Sequence, residues 1–268
     1  MEETKDQAPS MSPVEPEEEA ELSHTDKLVG VFSEPSAMFA KVAKSGPKTS
    51  DWLIPVFILI AVSILSTVLM FTNPSIKLQM KQEREKTIQE MVDNGTITQE
   101  QADQRIEMME KFSGGPIMII TTSISMVILI FIVFFVISAL LMLFVKFVLK
   151  GEGNYKDAMT AYGLPYYILV IQVIVMVILS LAMGKMFQTT GVSAFMNLEK
   201  GTFVNFILSK VDVFSIWFYA VLSISFAKMF KSESTGKYYA LIFSLWIVTS
   251  VVFFFIGKAV PFLSFLAR

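Results

Sequence analysis

Three polar side chains stand where their neighbours are almost all apolar: Gln172 inside ILVIQVIVMVI, and Lys210 and Asp212 inside FVNFILSKVDVFSIWFYA. Ionisable groups within hydrocarbon-spanning segments are costly to bury, so they mark functional sites by default. Their chemistry would be charge and hydrogen bonding offered to a solute, an ion or each other. Lys210 and Asp212 are two residues apart, which on a continuous helix turns them about 200° from one another and prevents pairing. A broken or re-entrant segment before Val211 suits them better. Two readings stay open: both residues sit at the membrane interface with the span beginning after them, or they form a buried polar cluster with Gln172, of which a transport pathway is one form.

Catalytic chemistry has little to stand on. The chain has no cysteine and one histidine, His24, in a polar stretch, which removes thiolate nucleophiles and the commonest general base from any apolar pocket. Glycines at 151 and 153 lack the strand and the longer glycine pattern of a phosphate cradle and read as a turn. No cofactor and no metal site is expected, and an enzyme is the weakest functional class.

The elements that must carry the three polar residues follow from composition. Of 268 residues, 53% are hydrophobic and 17% charged, with 24 Phe; soluble domains carry about 25% charged residues, so the solvent for folding is a bilayer. A helix needs about 20 apolar residues to cross hydrocarbon. Uncharged runs from Trp52 to Phe71, Phe112 to Val145, Ala158 to Gly184 and Tyr238 to Gly257 meet that length. Between Asp212 and Lys228 only 15 uncharged residues remain, so a fifth span is either short or extends back through Lys210. The expected fold is all-α: a polytopic bundle of about five transmembrane helices, with spans near 52–71, 116–145, 160–184, 211–230 and 238–257, because backbone groups in lipid must be satisfied within each segment.

Residues 1–27 are polar and acidic with three prolines and read as a disordered tail, leaving 28–268 as the membrane domain. In GVFSEPSAMFAKVAKSGPK, Pro35 suits an early helical position, Met38, Phe39 and Val42 supply an apolar face, and Gly46 with Pro47 ends the helix. Lys41, Lys44 and Lys48 flank that face, so a short basic amphipathic helix in contact with anionic headgroups is expected, against the plainer reading of a linker. Between spans one and two, residues 75–112 carry two thin apolar stripes separated by Asp93, Asn94 and Gly95, with Thr98 and Gln101 as a capping box. This is a helical hairpin outside the membrane, able to bind a partner or simply pack on itself. At the entrance to span three, Asn154 caps a helix whose Tyr162, Gly163 and Pro165 then lie inside the bilayer. Gly163 and Pro165 there can bend the helix and admit a neighbouring backbone. Basic residues near the spans are almost balanced between the two sides, but the short lysine-dense connections at 146–156 and 228–237 favour a cytoplasmic amino end. The near-zero net charge of -2 gives no reason for a nucleic-acid partner.

The order of VFSEPSAMF, a first span, a charged hairpin, KGEGNYKDAMTAYGLPYYI and VDVFSIWFYAVLSISFAKMF resembles the Yip family, the Ypt-interacting proteins, in its bacterial form, over about Leu28 to Gly257. That resemblance implies a five-span helical domain in the bacterial inner membrane with its amino end in the cytoplasm. Bacterial members have no established activity; the absent catalytic chemistry, the basic segment and the exposed hairpin favour a non-enzymatic role in membrane organisation or in binding a membrane or cytosolic protein, with homo-oligomers allowed. Eukaryotic members associate with Rab-type GTPases. The tail here lacks their aromatic, glycine-rich amino-terminal signature, so no residue carries over as a GTPase contact. The alternative class is a small-solute or ion permease built on Lys210, Asp212 and Gln172.

Overall fold

The computed structural model describes residues 21–112, 116–196, 198–199 and 201–260. It is all-helical. The amino-terminal part forms α1 (His24–Ser33) and α2 (Pro35–Ser45), then α3 (Thr49–Thr72). The hairpin follows as α4 (Pro74–Asp93) and α5 (Gln99–Phe112), and the remaining bundle is α6 (Pro116–Leu149), α7 (Tyr155–Gly163), α8 (Tyr166–Met183), α9 (Phe203–Lys210), α10 (Val213–Met229) and α11 (Gly236–Ala259). Among the described residues four segments are long and apolar enough to cross a membrane: α3, α6, α7 with α8, and α11. The pair α9 and α10, bent by 57° at a short break, passes the same test only when taken together, as a broken span or a re-entrant loop. The protein is a multi-pass helical membrane protein.

The polar start of the chain is more ordered than its composition implies. Residues 1–20 lie outside the described part, but α1 begins at His24, inside the stretch expected to be tail. Ser23 caps it reciprocally: its hydroxyl accepts from the Asp26 amide at 3.1 Å, and its own amide donates to the Asp26 carboxylate at 3.0 Å. What holds α1 is distant in sequence. Lys27 donates to Asp51 at the start of α3 at 2.7 Å, with both side chains almost fully buried, and His24 hydrogen-bonds the Tyr167 hydroxyl of α8. A local count of apolar residues contains neither partner.

Helix α2 differs from the expected interfacial helix in a similar way. Met38, Phe39 and Val42 are buried and the helix packs on α10, so its apolar face is spent on the bundle rather than on lipid. Lys41, Lys44 and Lys48 are on the exposed side, and Lys48 pairs with Glu21 at 2.6 Å.

The core is centred on the junction between α7 and α8. Asn154 caps α7 by accepting from the Lys156 and Asp157 amides at 2.8 and 3.2 Å. Every residue from Ala158 to Ile168 except Met159 is buried, so this stretch is apolar because it meets protein on all sides, where α6 keeps lipid-facing side chains such as Ile124, Ile128 and Ile132. At Gly163 a Cβ would lie 2.5 Å from the Trp52 Cβ and 2.7 Å from its Cα; only glycine lets α3 and α7 approach this closely. Pro165 then occupies the position before α8, whose first turn has no internal use for its missing N–H. Trp52, Phe134, Tyr162, Tyr166 and Phe218 form a connected set of rings with centroids 5.1–6.3 Å apart, which adds directional packing to the burial.

The hairpin is joined to the bundle. Asn73 ends α3 and caps α4, accepting from Ser75 and Ile76 amides at 3.0 and 3.2 Å. Thr98 and Gln101 form the reciprocal cap of α5. Gln79 of α4 then bonds the loop after α8 twice, donating to the Gly184 carbonyl at 2.9 Å and accepting from the Met186 amide at 3.0 Å.

Candidate functional site

Asp212 occupies the break between α9 and α10. A helix broken within hydrocarbon exposes amide groups that lipid cannot satisfy, and the Asp212 carboxylate accepts from the Phe214 amide at 3.2 Å as the cap of α10. Three further donors close on it. Gln172 of α8 donates to Oδ2 at 2.7 Å, Ser215 donates to the same oxygen at 2.6 Å, and Thr190 donates to Oδ1 at 2.8 Å. The Gln172 amide also reaches the Thr190 hydroxyl at 2.9 Å. With Asp212 only 2% exposed, these four bonds replace its hydration.

Of the three residues singled out from sequence, Gln172 and Asp212 are therefore in direct contact, and Lys210 is not. Its ammonium lies 5.1 Å from the centre of the Phe206 ring, as the two-residue offset and the intervening bend require. Thr190 and Ser215 are the members that sequence reasoning missed. Thr190 belongs to the connection between α8 and α9, which contains a short 3-10 turn from Val192 to Phe195. The signal for it is Gly191: a Cβ there would sit 2.4 Å from the Ser209 carbonyl oxygen. The close approach lets the Val192 amide bond the Val211 carbonyl at 3.0 Å, and Thr190 is carried against Asp212.

Above this cluster lies a cavity of about 980 Å³ enclosed by α4, the connection after α8, α9 and the flanks of α8, α10 and α11. Gln172 and Asp212 lie at its wall with Tyr162, Phe218 and Trp246, while Lys86 and Lys185 stand on its hairpin side. Gly163 packs against Trp52 and Pro165 stands at the junction of α7 and α8; neither lines the cavity. Lys41, Lys44 and Lys48 do not join it either; they belong to the opposite, amino-terminal side of the bundle.

Among the described residues no three His, Cys, Asp or Glu side chains gather as a metal site, and the carboxylate's lone pairs are directed at donors. The arrangement can bind and orient a polar ligand, and it holds a helix break rigid. A second apolar groove of about 280 Å³ lies where the hairpin meets the bundle, between Phe71, Leu78, Met80, Ile106 and Met109, with Lys77, Lys81 and Arg84 along its edge.

No curated protein and no solved structure matches the chain. The Yip1 domain family model matches residues 29–256, covering every span and the hairpin; with the helical multi-pass bundle described above, the chain belongs to the Yip family.

Proposed function

We propose that this chain is a non-enzymatic membrane organiser that binds a protein partner through its hairpin. The observation that carries this reading is the groove between α3, α4 and α5. Its lining is largely apolar, with Lys77 and Arg84 beside a Lys81–Glu85 pair at 3.6 Å, so positive charge is in excess there, and Gln79 ties α4 to the loop after α8. Such a surface suits an acidic amphipathic segment laid helix-in-groove. With the amino end in the cytoplasm of a bacterium, the hairpin stands on the far side of the inner membrane, so the partner is another membrane protein or a protein of that compartment. A photo-crosslinking residue at Leu78, which is exposed, should give a discrete adduct in cells, lost on Met109→Glu while the spans remain folded. Adducts unchanged by Met109→Glu, or none at all, overturn the proposal.

A second reading, a small-solute or ion permease, is supported by the polar cavity that reaches Gln172 and Asp212 in the broken span. Reconstituted vesicles test it: flux of a small ion above that of Asp212→Asn supports it, and no difference refutes it.

A further inference from the structure

We propose that the cavity above Asp212 binds the phosphate headgroup of an anionic phospholipid. Three cations from three separate elements line the cavity: Lys86 from α4, Lys185 after α8 and Lys210 at the end of α9. Lys185 and Lys210 each lie over an aromatic ring, at 5.5 Å from Phe187 and 5.1 Å from Phe206. Among the described residues neither has a carboxylate within ion-pair distance. Asp212 forms no ion pair with them, its two oxygens being engaged by the neutral donors Gln172, Thr190, Ser215 and the Phe214 amide, but its charge still counts against theirs. Glu83 is the one other acid in the lining, which leaves the cavity with an excess of positive charge.

The remaining wall selects the kind of anion. Leu169, Val173, Met176, Phe218 and Trp246 line the same space, and they belong to spans. Charge at the hairpin side and apolar surface at membrane depth match an amphiphile whose phosphate lies against the lysines and whose chains descend along α8. The volume, about 980 Å³, is at the upper end of small-ligand sites; inorganic phosphate alone would leave most of it unfilled. The proposal is independent of the hairpin groove, none of whose residues it uses.

The test is a thermal-shift titration of the full purified chain in a neutral maltoside detergent with dihexanoyl phosphatidylglycerol, dihexanoyl phosphatidylcholine and inorganic phosphate. The lysines are exposed or half-exposed, so the K86Q/K185Q/K210Q variant should keep its unliganded melting temperature. The expected result is a saturable rise in melting temperature with phosphatidylglycerol. The triple variant should bind on the order of 100-fold more weakly, near fivefold per lysine. An equal response to phosphatidylcholine, or an unchanged response in the triple variant, overturns the proposal. Saturation by inorganic phosphate at the same concentration as the lipid also overturns it, in favour of a free phosphate ligand. If the triple variant misfolds, the single exposed changes K86Q and K185Q replace it, each expected to weaken binding about fivefold.

Discussion

Gln172 and Asp212, forty residues apart in sequence, share a 2.7 Å hydrogen bond at the break between α9 and α10. The carboxylate is the common acceptor of the cluster. Asp212→Ala should leave Thr190, Ser215 and the Phe214 amide without their acceptor and Gln172 with Thr190 alone, at about 1–3 kcal/mol for each donor that finds no substitute. Gln172→Leu removes one donor of four and should cost about 1 kcal/mol. Melting temperatures in detergent should therefore fall far more for Asp212→Ala than for Gln172→Leu. Equal losses would show that the carboxylate does not organise the break.

The buried pair Lys27–Asp51 predicts a non-additive pattern. Lys27→Met strands the Asp51 charge in the core and should destabilise by about 3–5 kcal/mol. Replacing both, as Lys27→Met with Asp51→Leu, removes the stranded charge and should recover most of that loss. About 1 kcal/mol should remain unrecovered because Asp51 also accepts from the Lys48 amide at 2.9 Å, capping α3. Denaturation of the single and double variants measures the cycle; additivity would contradict the pairing.

His24 makes the docking of α1 sensitive to acid. Burial holds its pKa below the ordinary 6.5, assisted by the charge of Lys27 and opposed by that of Asp51. A depressed value in the folded state means the unfolded segment takes up the proton first. The stabilisation is thus complete above pH 6.5 and is lost as the pH falls through the folded value. The absence of native cysteine allows a direct readout. Labelling of Val31→Cys, at a buried position, should rise relative to Val29→Cys, at an exposed one, as the pH drops below 6.5, and His24→Asn should flatten the response.

Gly163 and Gly236 form a matched pair of opposites. Gly163→Ala forces a methyl into the Trp52 backbone and should cost about 1–3 kcal/mol through displacement of α3. A Cβ at Gly236 meets nothing within 4 Å, and Gly236→Ala should be neutral or stabilise by up to about 1 kcal/mol. Melting temperatures decide between them.

Features whose determinants are local could be read from the chain. Span lengths, the Asn154 and Thr98 caps and the stop at Gly95 depend on residues a few positions apart. A break before Val211 was only one of two readings the chain left open, because 15 uncharged residues fit either a short span or a longer one interrupted at Lys210 and Asp212. Thr190 was not visible: its role depends on a glycine approach to Ser209, a contact between two loops. The apolar face of α2 was legible as a face, but nothing in its periodicity distinguishes lipid from α10 as the surface it covers. For the same reason the apolar stretch from Ala158 to Ile168 reads as lipid-facing, although protein surrounds it.

The length of α6 has a consequence for the bilayer itself. From Ile117 to Val145 no charge interrupts it, and at 1.5 Å per residue that apolar stretch is about 43 Å long, against about 30 Å of hydrocarbon. An upright α6 would strand about 13 Å of apolar surface in the headgroups and water. A lean of about 40°, the top of the range found for membrane helices, still projects to about 33 Å. Hydrophobic mismatch is therefore built into the chain: α6 leans steeply, or the lipid around it thickens. At the amino end of α6 the hairpin takes up part of the excess, since Met118 lies in the hairpin groove with Arg84 3.7 Å from its sulfur.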